Sequence, residues 1–182
     1  FNQGIIVYGG GKMSKSKGNV VAPDVYVSKL GADTVRTYLM FVGPWNLGGE
    51  WSDSGIVGLS RWLNRVWALC DSEYASRDIS DADEANVRHL VHKTIKTVTS
   101  DMEEFRFNTM LAHLMEFTNV LGPIQEAGSV SVETWREATR VLLLLMAPIF
   151  PHISEELWHL RGHEASVHVQ QWPQGSAAKA QE

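Results

Sequence analysis

Apolar residues recur along most of the chain at alternating spacings of three and four, which is the pattern of helices with one buried face. One such stretch follows Ser52 and Asp53, either of which suits a helix N-cap. A second begins between Ser80 and Asp83, where acidic residues favour a helix N-terminus. The predicted buried positions are Ile56, Leu59, Leu63, Val66 and Cys70 in the first helix and Val87, Val91, Ile95, Val98, Met102 and Phe105 in the second.

Two more long helices are predicted further along the chain. The first begins near Asn108, and we expect it to end at the breaker pair Gly122-Pro123. The second begins near Ser131 and stops before Pro148. Its inward residues should be Trp135, Val141, Leu142 and Leu145. Four main helices with short connections predict an antiparallel up-and-down bundle.

Smaller elements are predicted on both sides of this bundle. The β-prone residues Ile5 to Val7 indicate a strand, and residues 43–51 contain three glycines and a proline, which predicts a loop. Pro23 begins one short helix, which Gly31-Ala32-Asp33 separates from another. Beyond the bundle, Pro151 suits the first turn of a last short helix, and Val167 to Trp172 is predicted to be extended. The expected fold class is mainly α, with a short β/loop segment before the bundle.

Composition places the chain among ordinary globular proteins, with 182 residues, 44% hydrophobic and 20% charged. The single cysteine, Cys70, excludes an internal disulfide and suits a reducing compartment, so we expect a cytoplasmic protein. The longest apolar run, Val141 to Phe150, is too short to span a bilayer. No methionine begins the chain and its end is small and polar, so we expect an excised fragment.

The charge of the chain is unevenly distributed. The net charge of −5 argues mildly against a generic nucleic-acid binder. Residues 1–50 nevertheless carry +2, and the remainder carries −7. Any site for phosphate is therefore expected in the first fifty residues.

The most distinctive candidate site is the lysine-rich stretch Lys12-Met13-Ser14-Lys15-Ser16, preceded by Gly9-Gly10-Gly11 and followed by Lys17-Gly18-Asn19. Lysine acts as a point charge on phosphate oxygens, and glycine allows close backbone approach, so such a loop suits a polyphosphate. The alternatives are a solvated surface loop and a P-loop. The P-loop pattern fails at Ile6 and Met13, where it requires a glycine and a hydroxyl residue.

This stretch matches the Lys-Met-Ser-Lys-Ser (KMSKS) signature of class I aminoacyl-tRNA synthetases. The continuation through Val21, and later Gly31-Ala32-Asp33 with Arg36, is similar to the leucine, isoleucine and valine branch. Within that branch the chain looks most like the leucyl enzymes, over residues 1 to about 173. The segments that carry this likeness are Gly43-Pro44, Trp51 to Gly55, Arg61 to Trp67, Phe105 to Thr109 and Ala147 to Trp158.

The resemblance implies an ATP-dependent ligase that forms leucyl-adenylate and transfers the leucyl group to tRNA(Leu). It assigns Lys12 and Lys15 to catalysis, with Lys15 the more important, and places Met13, Ser14 and Ser16 in the same ATP-binding loop. Mg²⁺ is expected with the ATP, but no carboxylate here is an obvious ligand. The family's His-Ile-Gly-His type signature is absent from this chain, so we expect the fragment to be inactive alone.

The resemblance also implies a domain division. Residues 1–50 correspond to the end of the catalytic domain with its stem-contact helices, residues 51–173 to the anticodon-binding bundle, and residues 174–182 to a tail or linker. In leucyl enzymes this bundle should contact the tRNA backbone, for which Arg61 and Arg65 are candidates, although ordinary solvated arginines remain an alternative. Trp62 and Trp67 are expected to pack between helices. We expect a monomer.

Two other classes of function stay open at this stage. One is a valyl- or isoleucyl-tRNA synthetase fragment, and the other is a non-catalytic RNA-binding helical module. The remaining candidate residues favour structural roles. His89 and His92 lack a third metal ligand and are expected at the surface, and His152, Glu155 and Glu156 suit a helix N-terminus.

Overall fold

The computed structural model describes residues 2–176 and places them in seven helices and a three-stranded sheet. The strands are β1 (Ile5–Tyr8), β2 (Gly11–Lys12) and β3 (Gly48–Glu50). The helices are α1 (Pro23–Leu30), α2 (Ala32–Phe41), α3 (Asp53–Asp71), α4 (Asp81–Glu103), α5 (Phe107–Ala127), α6 (Val132–Met146) and α7 (Pro151–Leu160). Of the tail predicted at 174–182, residues 177–182 lie outside the described residues.

Helices α3 to α7 form the predicted bundle, and the mainly α fold class is confirmed. Three of these helices begin where predicted, and the side chains of Ser52, Ser80 and Ser131 cap them by each accepting a hydrogen bond from a backbone N–H three residues on. The helices enclose a core of large apolar side chains, of which Trp62, Trp135, Phe117 and Phe150 are among the most deeply buried. Within residues 2–176 no helix is both long and apolar enough to cross a lipid bilayer.

The sheet corrects one prediction, since part of the expected loop at 43–51 is strand β3. Strand β1 lies in the centre, antiparallel to β2 and parallel to β3. The glycines that predicted a loop instead permit close backbone approach: a Cβ at Gly48 would lie 2.2 Å from the carbonyl oxygen of Ile5. Gly48 also has a φ of +77°, which favours glycine.

The predicted end of α5 at Gly122-Pro123 was wrong, because the helix continues to Ala127. Pro123 lacks the N–H that would bond to the carbonyl of Asn119, but both residues are exposed, so water can satisfy that carbonyl. Leu121 and Ile124 are buried on either side of the proline. Packing therefore keeps this stretch helical despite Pro123.

Two further local predictions were wrong. Phe105 does not extend the buried face of α4, since the helix ends at Glu103 and Phe105 is 47% exposed with a φ of 58°. The turn is closed by Arg106, whose N–H donates to the carbonyl of Asp101 at 2.8 Å and whose Nε contacts the Asp101 carboxylate at 2.8 Å. Val167–Val169, predicted to be extended, forms a 3₁₀ turn.

Trp51 joins the sheet to the bundle. Its backbone N–H donates to the carbonyl of Val7 at 2.8 Å, and its indole Nε1 donates to Asp53 Oδ1 at 2.9 Å. The rings of Tyr26 and Tyr38 pack edge-on against the indole, with centroids 4.9 and 5.0 Å away. The strand that leads into the lysine-rich loop is thus fixed to the first turn of α3.

Candidate functional site

A tight hairpin carries the lysine-rich loop. Strands β1 and β2 pair Val7 with Lys12 and Tyr8 with Gly11, which leaves Gly9 and Gly10 as the two turn residues. Both have positive φ, 62° and 74°, the backbone of the hairpin turn whose twist matches paired strands. Lys12 lies at the exposed end of β2, with Met13 directly after it.

The rest of the loop is a single 3₁₀ turn over Lys15–Lys17. Ser14 precedes it in extended conformation, and Gly18 closes it with a φ of 67°. The hydroxyls of Ser14 and Ser16 lie 2.8 Å apart and share a hydrogen bond. Lys15, Ser16 and Lys17 are all exposed, so the turn presents their side chains to solvent.

Asn19 holds this loop in place, a role that was not predicted for it. Its Oδ1 accepts the backbone N–H of Ser14 at 2.8 Å. Its Nδ2 donates to the carbonyls of Tyr8 at 3.2 Å and Lys12 at 3.3 Å. One side chain therefore joins the end of β1, the end of β2 and the start of the 3₁₀ turn. The only signal in the sequence was an asparagine directly after a glycine, which is typical of turns.

Met13 is half-buried and packs against the hydrophobic core, so the loop is anchored between its two lysines Lys12 and Lys15. No ion pair within residues 2–176 involves Lys12, Lys15 or Lys17. The nearby carboxylate of Glu50 is occupied, because its Oε1 accepts the N–H of Gly10 at 2.9 Å. The loop is therefore a concentration of uncompensated positive charge with hydroxyl donors, which suits phosphate oxygens.

Arg61 and Arg65 lie one turn apart on the exposed side of α3, as predicted from their spacing. Arg65 Nη1 lies 3.5 Å from Asn119 Oδ1, and neither arginine forms an ion pair among the described residues. No hydrogen bond or ion pair in that part of the chain joins them to the lysine-rich loop. The two groups are thus separate positively charged features.

The tryptophans of α3 pack between helices, as predicted. Trp62 is 2% exposed, and its Nε1 donates to Thr118 Oγ1 at 2.8 Å. Trp67 is half-buried against the same core. Neither residue is therefore available in this structure as a free platform for base stacking.

The other candidate residues lie in surroundings that suit a structural role rather than catalysis or metal binding. Burial raises the pKa of the Cys70 thiol to about 12, so this cysteine is a poor nucleophile. His89 and His92 are half-buried rather than at the open surface, which corrects their predicted exposure. Glu155 accepts hydrogen bonds from the N–H of Val167 at 2.9 Å and from Ser166 Oγ at 3.0 Å. Among residues 2–176, no three His, Cys, Asp or Glu side chains group to hold a metal ion.

Comparison with known proteins matches both parts of the chain to families. Residues 84–182 match the family model described as the anticodon-binding domain of tRNA ligase. Residues 1–46 match the model of class I tRNA synthetases (I, L, M and V). The second match contains the lysine-rich loop and helices α1 and α2.

Individual relatives extend this similarity over nearly the whole chain. A leucine–tRNA ligase of Dehalococcoides mccartyi is 53% identical over 173 residues, which is 95% of this chain and 21% of the relative. A leucine–tRNA ligase of Deinococcus radiodurans is 46% identical over 98% of this chain and 22% of the relative. The chain thus spans about a fifth of the length of the curated relatives it matches.

A solved structure gives the same result at the level of the fold. The ternary complex of Agrobacterium radiobacter K84 agnB2 LeuRS-tRNA-LeuAMS contains a chain with 33% identity and a TM-score of 0.86. The match covers 99% of this chain and 25% of that one. Since the anticodon-binding model spans more than half of the residues, the chain belongs to the anticodon-binding-domain family of tRNA ligases, in a segment similar throughout to leucine–tRNA ligases.

Proposed function

We propose that this chain is the part of a leucyl-tRNA synthetase that supplies the ATP-contacting loop and a tRNA-contacting helical bundle. The intact enzyme would activate leucine with ATP, release pyrophosphate and transfer the leucyl group to tRNA(Leu). The observation that carries the proposal is the conformation of the lysine-rich loop, in which Asn19 holds exposed, unpaired lysines on a tight turn. Residues 1–50 would belong to the catalytic domain and residues 51–173 to the bundle.

The chemical step explains why such a loop is needed. When the leucine carboxylate attacks the α-phosphate, negative charge accumulates on the departing pyrophosphate. Cations already held in position stabilise that charge more than they stabilise bound ATP, and so lower the barrier. Lys12 at the end of β2 and Lys15 on the 3₁₀ turn would supply the cations, and the hydroxyls of Ser14 and Ser16 would donate to phosphate oxygens.

Anchoring is as important as charge in this proposal. Met13 packs against the core between the two lysines, so the loop need not be ordered from a random ensemble when ATP binds. Mg²⁺ would accompany the ATP and neutralise phosphate charge, without a ligand from this chain. The tRNA would contact Arg61 and Arg65 through its backbone rather than through its bases.

The decisive test is the Lys15→Ala variant in the full-length enzyme. We expect leucine-dependent pyrophosphate exchange to fall by about 10²–10³-fold, the usual effect of removing one group that stabilises transition-state charge. The KM for leucine should change little, because Lys15 would act on the triphosphate. The matched control is Lys29→Ala, which removes an exposed lysine from the last turn of α1.

Each outcome of this experiment has a clear meaning. An unchanged exchange rate in Lys15→Ala, or an equal loss in Lys29→Ala, would contradict the assignment of the loop. Exchange driven by valine or isoleucine instead of leucine would identify one of the sister enzymes. A full-length protein that binds tRNA but catalyses no exchange with any amino acid would be an RNA-binding module.

A further inference from the structure

The lysine-rich loop is joined to the rest of the molecule on two sides. On one side is the hairpin of β1 and β2, which ends at Lys12. On the other side is α1, which begins at Pro23. The positions of the lysines therefore depend on how the hairpin and α1 are placed relative to each other.

One carboxylate oxygen contacts both of these flanking elements. Asp53 is the first residue of α3, and its Oδ1 accepts hydrogen bonds from Trp51 Nε1 at 2.9 Å and from the hydroxyl of Tyr26. Tyr26 lies in the first turn of α1. Trp51 is bonded to β1, because its backbone N–H donates to the carbonyl of Val7. Asp53 therefore links both α1 and β1 to the first turn of α3.

The aromatic rings around Asp53 restrict this junction to one arrangement. Trp51 is 5% exposed, and its indole lies between the rings of Tyr26 and Tyr38, both packed edge-on. The hydroxyl of Tyr38 accepts the backbone N–H of Ser52 at 2.9 Å. The indole Nε1 and the Tyr26 hydroxyl consequently meet at a single acceptor, which Asp53 supplies.

The protonation states of this junction are fixed at neutral pH. The hydrogen bonds from Tyr26 and Trp51 hold the pKa of Asp53 below its ordinary 3.8. The same bond to Asp53, together with burial, raises the pKa of Tyr26 above its ordinary 10.0. Asp53 is therefore an ionised acceptor and Tyr26 a protonated donor, and hydrogen bonds to a charged acceptor are stronger than neutral ones.

We propose that Asp53 is a positioning residue for adenylate formation, which places Lys12 and Lys15 by joining both flanking elements of the loop to α3. This inference rests on the proposed function of the chain. Asn19 holds the loop from within, whereas Asp53 holds the two elements between which the loop lies. Asp53 touches no substrate and acts only through the lysines.

A second effect of Asp53 has to be separated from this one. A negative charge in the first turn of a helix is stabilising wherever its side chain points, and Asp53 is the acidic residue in the first turn of α3. That effect requires the charge, whereas positioning requires an acceptor oxygen. Asp53→Ala removes both, and Asp53→Asn removes the charge but keeps the acceptor.

The test is leucine-dependent pyrophosphate exchange in the full-length enzyme. Asp53→Ala should lower kcat by about tenfold, since misplaced catalytic groups cause losses of this size, and should leave the KM for leucine unchanged. Asp53→Asn should stay within about threefold of the wild-type kcat, because the neutral amide oxygen still accepts both hydrogen bonds, although more weakly. The matched control is Asp24→Ala, which removes an exposed carboxylate from the first turn of α1 that makes no hydrogen bond among residues 2–176. Its exchange kinetics should equal those of the wild type.

A double-mutant cycle with Lys15→Ala shows whether Asp53 acts through the loop. In the Lys15→Ala background one of the groups that Asp53 places is already missing. Adding Asp53→Ala should then lower exchange by much less than in the wild-type background, because residues that act together have non-additive effects. An equal further loss in both backgrounds would mean that Asp53 affects the enzyme by another route, and would overturn the inference.

Tyr26→Phe keeps the test decisive if Asp53→Ala loses its native circular dichroism spectrum. This variant keeps the ring that packs against Trp51 and removes only the hydroxyl that donates to Asp53. It should lower kcat by about threefold, the effect of losing one hydrogen bond. Wild-type exchange in the folded Tyr26→Phe variant would overturn the inference.

The remaining outcomes separate this inference from the proposed function. Equal losses in Asp53→Ala and Asp53→Asn would assign the effect to the charge at the start of α3 and overturn the positioning role. Wild-type exchange in Asp53→Ala, alongside a large loss in Lys15→Ala, would overturn the inference and leave the proposed function intact. Wild-type exchange in Lys15→Ala would overturn both.

Discussion

At the scale of single residues, the position of the lysine-rich loop depends on the side-chain amide of Asn19. Asn19 makes three hydrogen bonds to backbone groups that are five to eleven residues away in sequence. Among residues 2–176, no hydrogen bond or ion pair fixes the side chains of Lys12, Lys15 and Lys17 directly. Their placement therefore comes from the backbone, and the backbone of the turn is held by Asn19.

This dependence gives a prediction for Asn19→Ala in the full-length enzyme. The loop should sample other conformations, so leucine-dependent pyrophosphate exchange should fall by about tenfold to a hundredfold, since misplaced catalytic groups lose that much. The unfolding free energy of the 182-residue chain should fall by only about 1–2 kcal/mol, because the hydrogen bonds are partly exposed. Exchange kinetics and urea denaturation measure the two effects.

The control for this prediction is Asn46→Ala, which removes an exposed asparagine that makes no hydrogen bond among residues 2–176. Both exchange and stability should remain at wild-type values in this variant. If Asn19→Ala keeps full exchange activity, the loop does not need the Asn19 hydrogen bonds, and the lysines must be placed by the packing of Met13 or by bound ATP.

At the scale of secondary-structure elements, Asp33 links the N-terminal segment to the bundle. It lies in the first turn of α2 and is 7% exposed. Its Oδ2 accepts the backbone N–H groups of His152 at 3.0 Å and Ile153 at 2.8 Å, at the start of α7. Helix α7 has no cap from its own N-cap side chain, so a carboxylate from another helix supplies one.

The variant Asp33→Ala should therefore destabilise the chain by about 1–3 kcal/mol, because two partly buried N–H groups at the start of α7 lose a charged acceptor. Urea denaturation followed by circular dichroism measures the change. Asp33→Asn keeps an acceptor oxygen but no charge. Its free energy of unfolding should therefore lie between those of Asp33→Ala and the wild type. The control Asp24→Ala removes an exposed carboxylate from the first turn of α1 and should cost less than about 1 kcal/mol. Equal effects of Asp33→Ala and Asp24→Ala would refute the link.

At the scale of the whole molecule, the periodic spacing of apolar residues predicted the helices of the bundle. Contacts between residues far apart in the sequence were not predicted. The spacing of Ile56, Leu59, Leu63 and Val66 defines one face of a helix, and that face is buried whatever the partner helix is. The starts of three helices could be predicted, because the residues that favour a helix N-terminus are local to each helix. These signals lie within a few residues of one another, so a single sequence carries them.

Features that depend on distant residues could not be predicted in the same way. Strand β3 exists because Gly48 can approach Ile5, which is 43 positions earlier, and α5 survives Pro123 because Leu121 and Ile124 are buried by other helices. For the candidate site, the motif identified the lysines, but Asn19 is recognisable only when Tyr8 and Lys12 lie beside it.

The response of the whole molecule to acid should depend partly on Glu84, which joins α4 to α6. The Glu84 carboxylate accepts hydrogen bonds from Ser131 N–H and from Thr134 Oγ1, and it contacts Arg88 Nη2 at 3.0 Å. Burial alone would raise the pKa of Glu84, but the hydrogen bonds from Thr134 and Ser131 outweigh it and hold the pKa below its ordinary 4.5. Such a group contributes stability that is complete above the unfolded pKa and is lost as pH falls through the folded pKa.

The variant Glu84→Gln should therefore be less stable than the wild type at pH 7, and the difference in unfolding free energy should shrink as the pH falls below 4.5, the ordinary pKa, and the wild-type carboxyl becomes protonated. Urea unfolding at each pH measures the difference. The control Glu164→Gln alters an exposed glutamate that makes no hydrogen bond or ion pair among residues 2–176. Its free energy of unfolding should therefore stay near that of the wild type at every pH. A Glu84→Gln difference that stays constant with pH would mean that the shape of the amide, rather than the lost charge, causes the destabilisation.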